Sequence, residues 1–114
     1  MATHYSTTGK VIEVLPNNGK TFTYEELQHL VSAVTDDPDY LSNVGRTMIE
    51  IVPLPSGKSI VVNEEGKLIG LPYNAEASKA WNEEYPIDQY PQNNDQTIVG
   101  NALIATETEL REEE

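Results

Sequence analysis

At 114 residues the chain has room for one hydrophobic core but not two, and nineteen Asp and Glu against seven Lys and Arg leave a formal charge of −12. That field repels nucleic acids and anionic membrane surfaces, so direct binding to either is not expected. With no cysteine there is no disulfide, thiolate metal site or thiol nucleophile. The opening MATHYSTTGK has no apolar signal core, and no run nears the roughly 18 apolar residues of a membrane span, so a cytoplasmic protein is expected.

Residues 1–8 are polar and turn-prone and read as a flexible start. Val11 to Leu15 is a β-branched run closed by Pro16-Asn17-Asn18-Gly19, a strand followed by a turn. Thr23 stands three residues before Glu26, the spacing of a reciprocal helix cap. Leu27, Leu30, Val31 and Val34 then fall on one stripe, which predicts a helix from Tyr24 to Val34. Asp36-Asp37-Pro38-Asp39 ends it, and a loop runs on to Arg46. Met48 to Val52 and Ser59 to Asn63 read as a hairpin reversed at Pro55-Ser56-Gly57. Glu64-Glu65-Gly66 is a second reversal, after which Leu68-Ile69 can add a short strand.

Asn74 is placed to cap a helix that runs through Ala75, Ala77, Ala80 and Trp81, with Trp81 on its packing face. The segment YPIDQYPQNNDQ, residues 85–96, has no period and reads as a long loop. Ile98 to Ala105 is a strand candidate interrupted by Gly100 and Asn101. Thr106 and Glu109 repeat the capping spacing at the start of an acidic tail, residues 107–114. These elements predict one α+β domain over residues 1–114, with an antiparallel sheet of about four or five strands and two main helices mostly on one face. Apolar residues make up only 38% of the chain, so part of the burial is expected between copies, in a homo-oligomer.

Catalytic chemistry finds no foothold. His4 and His29 are the only histidines, and neither has a ligand-type partner three or four residues on, so no metal site is expected. The chain lacks GxSxG, GxxxxGK[ST] and GxGxxG, and pairs such as Glu25-Glu26 and Glu64-Glu65 read as solvated surface. The expectation is a protein that is not an enzyme and that carries no catalytic residue and no cofactor.

Gly70-Leu71-Pro72-Tyr73-Asn74 supports two readings. As a ligand site, the helix start favours an anionic group, Tyr73 offers an aromatic face, and the amides of Asn63 and Asn74 can read polar edges. Arg46 and Lys67 then offset a ligand's charge, with Leu71 and Pro72 lining the turn. As plain structure, Pro72 and Asn74 make the turn and cap while Tyr73 packs on a neighbour.

The phrases FTYEELQ, IEIVPLPSGKSIVVNEEGKLIGLPYN and IVGNALI, in this order, resemble a family of small uncharacterised proteins of bacteriophages, plasmids and their hosts, a domain of unknown function. The likeness runs from about Lys20 to Ile104 and brings no catalytic residues with it. It implies a mobile-element setting and an accessory role such as interference with a host defence. Joined to the Gly70 to Asn74 turn, it leads to an expected function: a phage-encoded anti-defence protein that sequesters a small anionic nucleotide signal. The alternative is an acidic DNA mimic or decoy that binds a host DNA-processing or defence protein.

Overall fold

The computed structural model describes residues 2–31, 48–64, 70–85 and 98–110. The chain is α+β. Strands β1 (Ala2–Tyr5), β2 (Val11–Val14), β3 (Ile49–Pro53), β4 (Lys58–Asn63) and β5 (Ala102–Thr106) form one antiparallel sheet in the order β2-β1-β5-β4-β3. Among the described residues the helices are α1 (Tyr24–Leu30), α2 (Ala75–Glu84) and α3 (Glu107–Leu110). The predicted strand at Leu68-Ile69, the loop from Asp36 to Arg46, most of the 85–96 loop and the end of the acidic tail lie outside the described residues.

Two hairpins share one construction. Ser6 N–H donates to Lys10 C=O at 2.9 Å and Gly9 N–H to Ser6 C=O at 3.0 Å, joining β1 to β2. Leu54 N–H donates to Lys58 C=O at 2.8 Å and Gly57 N–H to Leu54 C=O at 3.0 Å, joining β3 to β4. The second is the reversal read at Pro55-Ser56-Gly57. The first overturns the expectation of a flexible start. Ala2–Tyr5 is an interior strand between β2 and β5, and Ala2 is fully buried.

The helix starts follow the sequence closely. At α1 the Thr23 hydroxyl accepts from Glu26 N–H at 3.1 Å, and Glu26 Oε1 accepts from Thr23 N–H at 3.0 Å. At α3 Thr106 Oγ1 accepts from Glu109 N–H at 3.2 Å, and Glu109 Oε1 accepts from Thr106 N–H at 3.1 Å. Each box satisfies donors that a helix start otherwise leaves open.

The expected placement of both helices mostly on one face is corrected by the packing. Side chains alternate along a strand, so Val61, Leu103 and Ala105 point to one face while Ile60, Ala102 and Ile104 point to the other. Leu27 and Val31 of α1 and its C-cap pack with the first set, together with Ala2 and Phe22. Ala77 and Trp81 of α2 pack with the second, beside Tyr5, Leu54 and Tyr85. The sheet is therefore covered on both faces. His4 joins β1 to α1, its ring Nε2 lying 2.7 Å from Leu30 C=O. A carbonyl only accepts, so Nε2 carries the proton.

Candidate functional site

The segment Leu71 to Asn74 is fastened to the stretch just before β5. Asn74 N–H donates to Ile98 C=O and Gly100 N–H to Pro72 C=O, both at 2.8 Å, with Tyr73 bridged to Val99 between them. Ile98 N–H donates in turn to Ser78 Oγ at 2.8 Å, tying the first turn of α2 to the same stretch. Gly100 has φ +75°, and a Cβ placed on it would stand 2.7 Å from Leu71 Cδ1. Only glycine meets both demands without a shift.

Asn74 is fully buried and its amide is engaged on both sides. Its Nδ2 donates to Tyr5 C=O at 2.9 Å and to Gly100 C=O at 2.8 Å, and its Oδ1 accepts from Ala77 N–H at 3.0 Å. One side chain thus caps α2, closes the turn and ties both to the end of β1. Its role is the structural one of the two readings, and the site loses Asn74 as a ligand contact.

Tyr73 is the opposite case, with 55% of its surface exposed although its backbone is held by these bonds. Pro72 is exposed beside it and Leu71 is half-buried over Gly100. Asn63 ends β4 opposite Ile49 and is buried; by alternation with Val61 it points to the α1 face. It is engaged within the fold. Arg46 and Lys67 lie outside the described residues. Of the seven residues read as ligand-binding, Leu71, Pro72 and Tyr73 therefore form one surface. At the start of α2 the N–H groups of Ala75 and Glu76 have no acceptor among the described residues, since the cap serves Ala77. Glu76 places its own carboxylate in that first turn and opposes an anion there.

A polar cleft of about 240 Å³ lies between α2 and the sheet, lined by Thr3, Tyr5, Ser56, Lys58, Glu83 and Glu84 among others. Glu84 Oε2 accepts from Ser56 N–H at 3.2 Å. Burial pushes the Tyr5 phenol above its usual range, and the carboxylates of Glu83 and Glu76 push it further. The phenol stays protonated and can donate a hydrogen bond, but with two acids against Lys58 the cleft does not suit an anion. Sequence reading missed this cleft because Tyr5 fell in the stretch read as a flexible start. Among the described residues no three His, Asp or Glu side chains gather in a way that could hold a metal ion. No helix among them is long and apolar enough to cross a membrane.

A five-stranded antiparallel sheet covered on both faces, with Tyr73 exposed on a pinned turn, defines a small α+β domain. The chain belongs to the family described as Domain of unknown function (DUF3846), whose model matches residues 10–114. The match begins after β1, so the interior strand at the start of the chain lies outside it. No curated protein and no solved structure matches the chain.

Proposed function

We propose that this chain is a phage-encoded, non-enzymatic anti-defence protein that sequesters a small anionic nucleotide signal, stacking the base on Tyr73. The observation that carries the reading is an aromatic side chain 55% exposed on a backbone that hydrogen bonds hold in place on both sides. With the backbone already held, only the rotation of the ring itself remains to be ordered on stacking, and a base on an aromatic is worth about 1–3 kcal/mol. The open N–H groups of Ala75 and Glu76 offer two donors beside it, but the Glu76 carboxylate opposes an anion there, so the reading depends on cations to hold the phosphates. Arg46 and Lys67 are the cations that this reading assigns to the phosphates.

The test is a thermal-shift screen of the full chain with cyclic and ADP-ribose-type nucleotides. A ligand at 100 times its Kd stabilises the native state by about 2.7 kcal/mol, and Tyr73→Ala should remove most of that shift while leaving the free protein folded. Absence of any nucleotide shift would sink the reading. One observation favours the decoy alternative: Glu50, Glu64, Glu76 and Glu83 are all exposed. A decoy gains nothing from a nucleotide and instead captures a basic DNA-processing protein, with affinity that falls steeply as salt rises.

A further inference from the structure

We propose that β2 is a self-association edge, through which two copies of this chain pair antiparallel about a two-fold axis at Ile12 to form one continuous ten-stranded sheet. This does not depend on the nucleotide reading. β2 ends the order of the described strands, so on one side of it no described strand lies. The bond from Ser6 N–H to Lys10 C=O and the pairing of His4 with Ile12 and Ala2 with Val14 make these the inward-bonded positions. In an antiparallel ladder the alternate residues face the other way, so Val11 and Glu13 present their N–H and C=O groups to the open side. An unpaired edge of this kind is a template for another strand.

Three observations select a second copy as the occupant. First, Val11 and Ile12 are 44% and 42% exposed on opposite faces of β2, and Leu15 just beyond it is 65% exposed, so the open edge carries apolar side chains on both of its faces. Second, the edge is self-complementary: with Val11 opposite Glu13 of the second copy, the open groups of both residues bond in both directions. That gives about four backbone hydrogen bonds and brings the two Ile12 side chains together on the axis. Third, among residues 2–22 Lys10 and Lys20 accompany the single carboxylate Glu13, while the other acids all lie further along the chain. This stretch holds two cations against one carboxylate in a chain of charge −12, while the fold sets Glu25 and Glu26 beside the turn that follows it. Glu26, which the fold brings back to the turn after β2, has its carboxylate held by the N–H groups of Asn17 and Thr23. The other sheet edge, β3, carries Pro53, which has no N–H to offer, and the exposed Glu50.

In this register the two Glu13 carboxylates lie diagonally, about 7–8 Å apart, so added salt should strengthen the dimer. The full chain is followed by sedimentation equilibrium over a wide concentration range. The expected result is reversible dimerisation that rises with salt. Ile12→Lys sets two ammonium groups together on the axis, and Glu13→Pro removes an outward N–H while sparing the bonds to β1. Each should raise the dimer Kd at least about tenfold, with circular dichroism confirming the fold. Ile12→Cys should cross-link as a disulfide dimer on mild oxidation, whereas Ile51→Cys on the β3 edge should not; this pair decides if a charge or proline variant unfolds. A monomer at every concentration, a larger assembly, or a dimer indifferent to both substitutions without an Ile12 cross-link would overturn the proposal.

Discussion

The junction at Asn74 and the strand β2 handle backbone polar groups in opposite ways. At the junction, peptide groups of Tyr5, Pro72, Asn74, Ala77, Ile98 and Gly100 are all paired, three of them through one buried amide. At β2, Val11 and Glu13 turn their peptide groups outward, and apolar side chains stand exposed around them. Stability is concentrated where the amide closes a network, because removing it leaves several buried groups unpaired at once. At the open edge a substitution removes little that the isolated fold depends on, and what it changes is association.

The largest expected effect is therefore at the junction. Asn74→Ala removes a helix cap and leaves the carbonyls of Tyr5 and Gly100 without their buried donor. A cap contributes about 0.5–2 kcal/mol and an unsatisfied buried group costs about 1–3 kcal/mol, so a loss near 3 kcal/mol is predicted, read from urea denaturation. Asn74→Asp keeps the cap oxygen but sets a buried carboxylate oxygen against the carbonyls of Tyr5 and Gly100, so at neutral pH it should cost at least as much as Asn74→Ala, with the excess shrinking in acid as the carboxyl protonates. Gly100→Ala comes next. It forces a side chain into φ +75° and against Leu71 Cδ1, and a loss of about 1–3 kcal/mol is expected. A Gly100→Ala protein as stable as the parent would show that Leu71 yields easily and that the junction is looser than its bonds suggest.

Much of this comparison was already readable in the chain. The capping pairs Thr23 with Glu26 and Thr106 with Glu109, the cap at Asn74 and the reversal at Pro55-Ser56-Gly57 all depend on residues close in sequence, and all formed. The amide contacts of Asn74 were not readable, since Tyr5 lies 69 residues away and its carbonyl leaves no trace in residue type. β1 was missed for a related reason. Thr3, His4 and Tyr5 are polar enough to pass for a loose end, yet strands on both sides leave them only half-exposed. The two-sided sheet did leave a signal. Ile60-Val61-Val62 and Ala102-Leu103-Ile104-Ala105 are unbroken apolar runs, which a sheet with one wet face does not need. At the candidate site, the burial of Asn74 is a matter of tertiary packing that a cap signal does not reveal.

A smaller effect is predicted at the two capping boxes, and it depends on pH. Burial pushes the Glu26 carboxyl up, but the N–H groups of Asn17 and Thr23 and the Thr23 hydroxyl outweigh it and hold the group below its ordinary 4.5. Burial and the bonds from Thr106 act on Glu109 in the same two directions, with the same net lowering. A carboxyl depressed in the folded state adds stability above its unfolded pKa and loses it as pH falls through the folded value. Thr23→Ala and Thr106→Ala should each cost about 0.5–2 kcal/mol at neutral pH. The difference from the parent should shrink in acid, where the carboxyls are protonated in every variant. Urea midpoints compared at neutral and acid pH check this, and a gap that stays constant would mean that the hydroxyls act without their carboxylate partners.

The smallest effects are expected where side chains are most exposed, and they separate folding from binding. Tyr73→Ala removes a ring that is 55% exposed while leaving the backbone bonds of its neighbours in place, and Val11→Thr keeps a β-branched residue on the open edge. Measured on dilute protein, where association does not contribute, each should change stability by no more than about 0.5 kcal/mol. The same substitutions should act on different partners at higher concentration: Tyr73→Ala on nucleotide binding alone, Val11→Thr on self-association alone. Independence follows from the architecture, because Tyr73 sits at the bridge to Val99 before β5 whereas the open side of β2 faces away from β1 and β5. A large loss of stability from Tyr73→Ala in dilute solution would place the ring among the packing groups of the junction and remove it as a stacking surface. A nucleotide response that changed with Val11→Thr would instead couple the two regions, making the pinned turn and the open edge parts of one binding unit.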